Sequence, residues 1–245
     1  MHIHIEEVIG RAKQGITEPY ICRCSDNTLY YVKGKGAGYG SLIKEWVAGR
    51  LAECLKLPIP SFAIAWVPKE LYELGRKDLL QDLGFGPLFG SREIPNTNEM
   101  SFLNSESIPT QLKRDIAAFD WWIMNGDRTL TEVGGNPNIL WSETANVSYI
   151  IDHNLAFDEA VTLHSQLQGH IFAEALAEIC KDEALQTHYR DSFQDALSHL
   201  PSILSDIPQR WHYVDDEQSI EINFSIDEME HRLKRIQERA FWERT

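Results

Sequence analysis

The chain has 245 residues, 43% of them hydrophobic, and a formal net charge of −14. Such a length buries a sizeable core without disulfides and accommodates one large domain or two closely packed lobes. The acidic balance argues against a general binder of nucleic acid or anionic membrane, because both select basic surfaces.

The first third reads as strands. "HIHIEEVI" alternates, and "PYICRC" and "TLYYVK" flank Ser25, Asp26 and Asn27, turn residues whose side chains bond nearby backbone. Together these predict an antiparallel meander. "KGKGAGYG" then breaks the pattern. "SLIKEWVAGRLAECLKL" predicts a helix with Ile43, Val47, Leu51 and Leu55 on one face and Ser41 as its N-cap. The proline-bounded "PIPSFAIAWVP" reads as a strand, "KELYELGRKDLLQDLG" as a helix ending at Gly84, and "PLFGSREI" as a further strand.

From residue 96 the character changes. "IPTQLKRDIAAFDWWIMN" predicts a strong helix with Leu112, Ile116, Phe119 and Ile123 on its apolar stripe. Further helices are expected over 160–181, 186–204 and 226–243. Two short apolar runs, "ILW" and "SYII", interrupt the helical half. The class is therefore α+β, with a compact boundary near Pro95 dividing a small sheet with one helix (1–95) from a helical half (96–245).

No apolar run is long enough to span a bilayer. "MHIHIEEVIG" lacks the basic start and apolar core of a signal peptide. Cys22, Cys24, Cys54 and Cys180 have no zinc-finger spacing, and Cys22 and Cys24 share one face of a strand. Scattered thiols fit a reducing compartment, so the cytoplasm is the expected location.

The stretch "NGDRTLTEVGGNPNILW" carries the chemistry. Asp127 follows a long helix, and Asn138 and Asp152 sit at the edges of the two apolar runs. If those runs pair as a hairpin across "SETANV", Asn138 and Asp152 come together, one just before the first strand and one just after the second, with Asp127 facing them. Carboxylate and amide oxygens are hard ligands suited to Mg²⁺, and a further carboxylate can orient or deprotonate a hydroxyl. Each residue alone is also an ordinary turn former or cap. The set as a whole matches what phosphoryl transfer needs: two metal ligands and an acid near the nucleophile.

Such a site also needs a cation for nucleotide phosphates. Lys33 ends the strand "LYYVK" and Glu45 lies one turn into the next helix, the lysine–glutamate arrangement that kinases use. "KGKGAGYG" matches neither common phosphate-loop spacing and reads as a connector. "AKQGITEP" is the better phosphate-covering loop, with Gly15 for close backbone approach and Thr17 for a hydroxyl; an ordinary hairpin turn is equally compatible.

Over roughly residues 8–160 the chain resembles the HipA-like protein kinases, especially the short single-chain branch without the N-terminal subdomain of full HipA toxins. "YYVKGKG", "LIKEWVAGRLAECLKLPIPSFAIAWV" and "GPLFGSREIP" resemble the family's lysine strand, glutamate helix and strands leading to the hinge. "NGDRTLTEVGGNPNILW" and "YIIDHNLAF" resemble its catalytic loop and metal-binding strand end. The resemblance implies a protein-kinase-like two-lobed fold and use of ATP and Mg²⁺. It implies Lys33 for phosphate binding, Glu45 for orienting it, Asp127 as the catalytic carboxylate, and Asn138 and Asp152 as metal ligands. Glu93 and Ile94 would contact adenine through their backbone.

The chain departs from the family at three points. The gap from Asp127 to the asparagine is long, which leaves both Asn136 and Asn138 open as the ligand; Asn138 is preferred because it abuts the strand, whereas Asn136 precedes Pro137 and reads as a turn residue. Thr129 stands where many relatives have His, and no Phe-Gly follows Asp152. The expected activity is transfer from ATP to a serine or threonine of a protein that the sequence does not name. The alternatives are a nucleotide-binding pseudokinase acting as an interaction module and a small-molecule kinase.

Overall fold

The computed structural model describes residues 2–12, 18–142 and 144–243, and of residue 78 the backbone only. The chain divides into two compact units. One comprises Met1–Trp46, Pro60–Pro95 and Asp206–Phe224; the other comprises Val47–Ile59, Asn96–Ser205 and Ser225–Thr245. One joint falls between Pro95 and Asn96, but the units also exchange segments, and a boundary passes through the helix after Lys33.

Among the described residues the first unit has five strands: β1 (His2–Arg11), β2 (Tyr20–Cys24), β3 (Leu29–Lys33), β4 (Phe62–Val67) and β5 (Gly86–Arg92). β1, β2 and β3 form the expected antiparallel meander, and the turn between β2 and β3 is closed by Asp26, whose carboxylate accepts the Thr28 N–H at 3.1 Å. β3 continues onto β5 and β5 onto β4. One pairing was not legible locally: β4 returns parallel to β1, with Ile3 opposite Ala65, and closes the sheet into a barrel.

Period-two alternation fills the interior. Ile3, Ile5, Cys22, Cys24, Tyr30, Val32, Ala63, Ala65 and Leu88 are all buried. Burial pushes the Cys22 and Cys24 thiols up to about 12, so both act as small hydrophobes rather than nucleophiles.

Helix α1 (Tyr39–Cys54) starts earlier than Ser41, which is not its cap. A 3₁₀ turn at Lys35–Ala37 and Gly38 at φ 80° feed the helix, and the Ser41 N–H donates to the Gly38 carbonyl at 3.0 Å, inside the first turn. Ile43, Val47 and Leu51 are buried as expected, but so are Leu42, Trp46, Ala48 and Ala52, so α1 is apolar nearly all round. The helix expected over "KELYELGRKDLLQDLG" is two short pieces, α2 (Lys69–Leu74) and α3 (Lys77–Leu80), broken at Gly75.

The second unit holds the short strand β6 (Asn98–Glu99), α4 (Phe102–Ser105) and the central helix α5 (Thr110–Trp122). Then come β7 (Thr129–Thr131), β8 (Gly134–Asn136), β9 (Ile139–Ser142) and β10 (Val147–Ile150). Five helices follow: α6 (Leu163–Gly169), α7 (Ala173–Ile179), α8 (Glu183–Ser198), α9 (Leu200–Ser205) and α10 (Ile226–Lys234). From Ile116 onward α5 is buried on every side, Asp120 included, while Leu112 is only half-buried. Trp122 stacks on Phe193 at 4.4 Å and 7°, and its indole N–H donates to the Leu233 carbonyl at 2.9 Å. Such an aromatic pair adds about 0.5–1.5 kcal/mol to its area burial.

The helices expected over 160–181 and 186–204 are each split in two, and the last gives way to 3₁₀ turns after Lys234. The first split has a chemical reason: the break between α6 and α7 frees His170 to reach Asp120. Among the described residues no helix is long and apolar enough to cross a membrane.

Gly34 follows Lys33 directly and lies against the Leu83 backbone. A Cβ there would come 2.6 Å from both the Cα and the carbonyl oxygen of Leu83. Gly34→Ala is expected to lose about 1–3 kcal/mol in urea unfolding through overpacking. Gly10→Ala, where a Cβ meets nothing within 4 Å, should stay within about 0.5 kcal/mol. Equal losses at the two positions would remove the close-approach explanation.

Candidate active site

Lys33 is the last residue of β3, paired with Phe89 of β5. Its ammonium forms an ion pair with the Glu45 carboxylate from α1, and the two residues are 9% and 3% exposed. Removing both charges from water costs several kcal/mol per ion, so a pair this dry persists only in good geometry. The structure thus brings together the two residues that the sequence placed on separate elements. Glu93 and Ile94 follow β5, both half-buried; the Glu93 N–H donates to the Leu29 carbonyl at 2.9 Å. Gly15 and Thr17 lie outside the described residues.

The other expected residues lie in the second unit. β9 and β10 form the anticipated hairpin, with Ile139 opposite Ile150. One step beyond that register, the Ile151 N–H donates to the Asn138 carbonyl at 2.9 Å. Asn138 therefore stands beside the strand end that leads into Asp152. The Asn138 side chain donates its Nδ2 to Asp127 Oδ2 at 3.0 Å, and Asn136 donates to the same oxygen at 2.8 Å.

The long gap between Asp127 and the asparagines is taken up by a miniature hairpin. β7 and β8 pair with Thr129 opposite Asn136 and fold the extra residues outward. Gly135, at φ 157°, lets the strands close: a Cβ there would sit 2.5 Å from the Thr129 carbonyl oxygen. Asn136 is thus a strand residue and not the turn residue expected, because the extended bias imposed by Pro137 is satisfied equally well in a strand. Thr129 also contributes: its hydroxyl accepts the Asn136 N–H at 3.3 Å.

Sequence reading missed the structure beneath the loop. Asp120, on α5, and Arg128, next to Asp127, are both fully buried. Arg128 Nε donates to Asp120 Oδ2 at 2.6 Å and Nη2 to Oδ1 at 3.4 Å. Arg128 Nη1 donates to the carbonyls of Pro137 and Asn138. Asn125 Nδ2 donates to Asp120 Oδ1 at 2.9 Å, and Gln166 Nε2 to the Asn125 carbonyl at 2.7 Å. His170 Nδ1 accepts the Phe172 N–H, so its Nε2 carries the proton that points at Asp120 Oδ2, 2.9 Å away.

Burial alone would raise the pKa of Asp120. The Arg128 charge and the His170 and Arg128 hydrogen bonds overcome that and hold it well below the usual carboxylate range. The one available signal was a charged residue at a helix position that the apolar pattern requires to be buried, in "AAFDWW".

Met124, Asn138, Asp152 and Phe157 all adopt left-handed backbone, with φ between 47° and 62°. Such conformations cost of order 1–3 kcal/mol each in a bulky residue and persist where surrounding bonds over-determine them. Here those bonds include Phe157 N–H to the Ile123 carbonyl at 2.7 Å and Ile151 N–H to the Asn138 carbonyl.

The donor set suits a hard divalent cation. An asparagine that gives its Nδ2 to Asp127 keeps Oδ1 as an acceptor, and Asp152 adds a half-buried carboxylate. Among the described residues no three His, Cys, Asp or Glu side chains form a self-sufficient metal cluster. A cation here would complete its shell from phosphate oxygens and water, as Mg²⁺ does in phosphoryl-transfer sites.

A family model described as HipA-like kinase matches residues 5–245, which supports a kinase phosphotransferase. The chain belongs to the HipA-like kinases and has their α+β, protein-kinase-like architecture. No curated protein matches the sequence. Among solved structures it is similar to the proinflammatory kinase CtkA of Helicobacter pylori, at 12% identity and a TM-score of 0.45, over 97% of this chain and 94% of that one. It is also similar to the Golgi casein kinase, at 15% identity and a TM-score of 0.46, over 96% of this chain and 70% of that one. A structure of the Golgi casein kinase with Mn/ADP bound gives 14% identity and a TM-score of 0.42, over 98% and 72%.

Asp120→Asn leaves the Arg128 charge buried without its counterion. It is expected to destabilise the protein by about 3–5 kcal/mol at pH 7 in urea unfolding. A depressed carboxylate pKa contributes stability that is present above the unfolded value and lost as pH falls through the folded one. The gap between wild type and variant should therefore narrow as pH drops below about 4. A variant within 1 kcal/mol of wild type at pH 7 would contradict this account of the pair.

Proposed function

We propose that this kinase transfers the γ-phosphoryl group of ATP, with Mg²⁺, to a serine or threonine hydroxyl of a protein. The observation that carries the reading is the convergence of Asn136 and Asn138 on Asp127, with Asn138 tied by its carbonyl to the strand end before Asp152. Lys33, oriented by Glu45, would hold the phosphates by charge. Asp127 would align the acceptor hydroxyl and take its proton on a carboxylate oxygen. Asn138 Oδ1 and the Asp152 carboxylate would hold the cation. When bound, Mg²⁺ supplies neutralisation of charge on the phosphoryl oxygens. The Glu93 N–H is engaged by Leu29, so its carbonyl would be the group that receives the adenine amine, with Ile94 beside it. Gly15 and Thr17 would cover the phosphates. We place the protein in the cytoplasm on its scattered cysteines, and on its acidic charge we expect no direct nucleic-acid or membrane partner.

A second reading has one observation in its favour. Both asparagine amides rest on the same oxygen of Asp127, an arrangement that also suits a nucleotide-binding module that transfers nothing. Incubation with γ-labelled ATP and Mg²⁺, alone and with a lysate protein mixture, separates the two. The kinase reading expects label on protein, reduced about 10²-fold or more in Asp127→Ala. ATP binding without transfer would favour the module instead, and transfer to a small alcohol in place of protein would redirect the acceptor class.

The metal assignment has its own test. Asn138→Ala is expected to weaken Mg²⁺-dependent ATP binding about tenfold or more, as a lost metal-site contact does. Asn136→Ala should mainly loosen the β7–β8 hairpin and the orientation of Asp127. The reverse pattern, with Mg²⁺ dependence lost only in Asn136→Ala, would transfer the ligand role to Asn136.

A further inference from the structure

Residues Asp206–Phe224 belong to the unit of the barrel, although the residues on both sides of them belong to the helical unit. The segment is fastened at a 3₁₀ turn, Gln209–His212. Trp211 is fully buried, and its indole N–H donates to the Pro87 carbonyl at the start of β5, at 2.7 Å. Its ring meets Trp46 edge-on at 6.4 Å, and Trp46 meets Phe62 of β4 edge-on at 5.5 Å.

Its neighbour Arg210 lies over the Tyr39 ring, 4.7 Å from the centroid. The Arg210 guanidinium also donates to the carbonyls of Tyr213 and Asp215 and to the Asp216 carboxylate. Asp216 stands 3.8 Å from Lys35, two residues after Lys33. At the far end of the segment, Lys44 lies over the Phe224 ring at 5.6 Å, and a Cβ on Gly40 would rest 3.5 Å from Phe224 Cβ.

Every one of these contacts to α1 falls on Tyr39, Gly40, Lys44 or Trp46. They bracket Glu45 on its own helix. The Lys33–Glu45 pair is nearly dry, and a pair without water depends on fixed geometry, since no solvent compensates a displaced partner. The barrel holds Lys33 through its pairing with Phe89 of β5, directly after Val32, which is paired on both sides, with Tyr20 of β2 and Gly90 of β5. Glu45 has no such ladder; its position follows the start of α1, and that start is what the segment grips.

We propose that Trp211, seconded by Arg210, is a positioning residue of this kinase: it holds the first turns of α1 so that Glu45 keeps Lys33 ready for nucleotide phosphates. The proposal rests on the reading that Lys33 and Glu45 serve ATP. Trp211 touches no substrate in this account and acts only through Glu45.

The test is a double-mutant cycle read by calorimetric titration of ATP with Mg²⁺ into the full chain, with hydrogen exchange followed over residues 41–47. Trp211→Phe removes the indole N–H and part of the ring; Glu45→Gln removes the ion pair. Each is expected to weaken ATP binding by about tenfold, Trp211→Phe with faster exchange in α1. The double variant should bind no more weakly than Glu45→Gln alone, because residues acting through one another are not additive. Phe193→Leu, a core change in the helical unit, should leave the dissociation constant within about twofold. Where Trp211→Phe does not fold, Arg210→Gln takes its place, with an expected several-fold effect and the same cycle.

If Glu45→Gln weakens binding but Trp211→Phe leaves affinity and exchange at wild-type values, the role of Trp211 is overturned. It is overturned equally if the two effects multiply. If Glu45→Gln binds as wild type, or wild type does not bind ATP, the lysine–glutamate reading itself fails and the proposal with it.

Discussion

The buried ion pair between Asp120 and Arg128 is the constraint on which the loop around Asp127 depends. A guanidinium and a carboxylate with no solvent exposure are expensive, and they are tolerated only when every donor and acceptor is answered. Here most of the answering groups are the loop's own, joined by His170 from the end of α6. Pro137 and Asn138 give carbonyls to Arg128, while Asn125 and His170 give hydrogen bonds to Asp120. The chain from Asn125 to Asn138 is therefore held at both ends by one pair of charges. Asp127, adjacent to Arg128, inherits its place from this arrangement.

The same constraint accounts for the strained backbone. Asn138 at φ 47° offers its carbonyl to both Arg128 and Ile151 while its side chain turns to Asp127. A residue serving three partners has little freedom in φ and ψ, and asparagine tolerates the left-handed region better than most. The long spacing after Asp127, which sets this chain apart from the usual pattern, costs nothing in geometry. The β7–β8 hairpin absorbs the extra residues and brings Asn136 back opposite Thr129, two residues after Asp127.

The barrel unit works on a different principle. Lys33 is placed by strand register, at the end of β3 and opposite Phe89 of β5. Glu45 is placed by a helix that is apolar nearly all round and is covered partly by a segment from much later in the chain. The parallel return of β4 to β1, which closes the barrel, belongs with these long-range effects. Its two partners lie far apart in sequence and carry no mutual signal in either strand.

The sequence by itself determined the α+β class, the five strands around Lys33, the hairpin that follows Asn138, and the identity of Lys33, Glu45, Asp127, Asn138 and Asp152 as candidates. The elements follow from local periodicity, Asp127, Asn138 and Asp152 from polar residues stranded at the ends of apolar runs, and Lys33 with Glu45 from the strand-lysine and helix-glutamate arrangement that kinases use. Only the tertiary structure decided that Asn136 and Asn138 share one oxygen of Asp127 and that a buried Asp120–Arg128 pair stands behind the loop. It also decided where predicted helices break: Gly75 divides one, and a second yields at His170 to let that side chain reach Asp120. The reason is physical. Periodicity reports which face of an element is buried, but the partner of a buried charge is chosen by packing between segments distant in the chain.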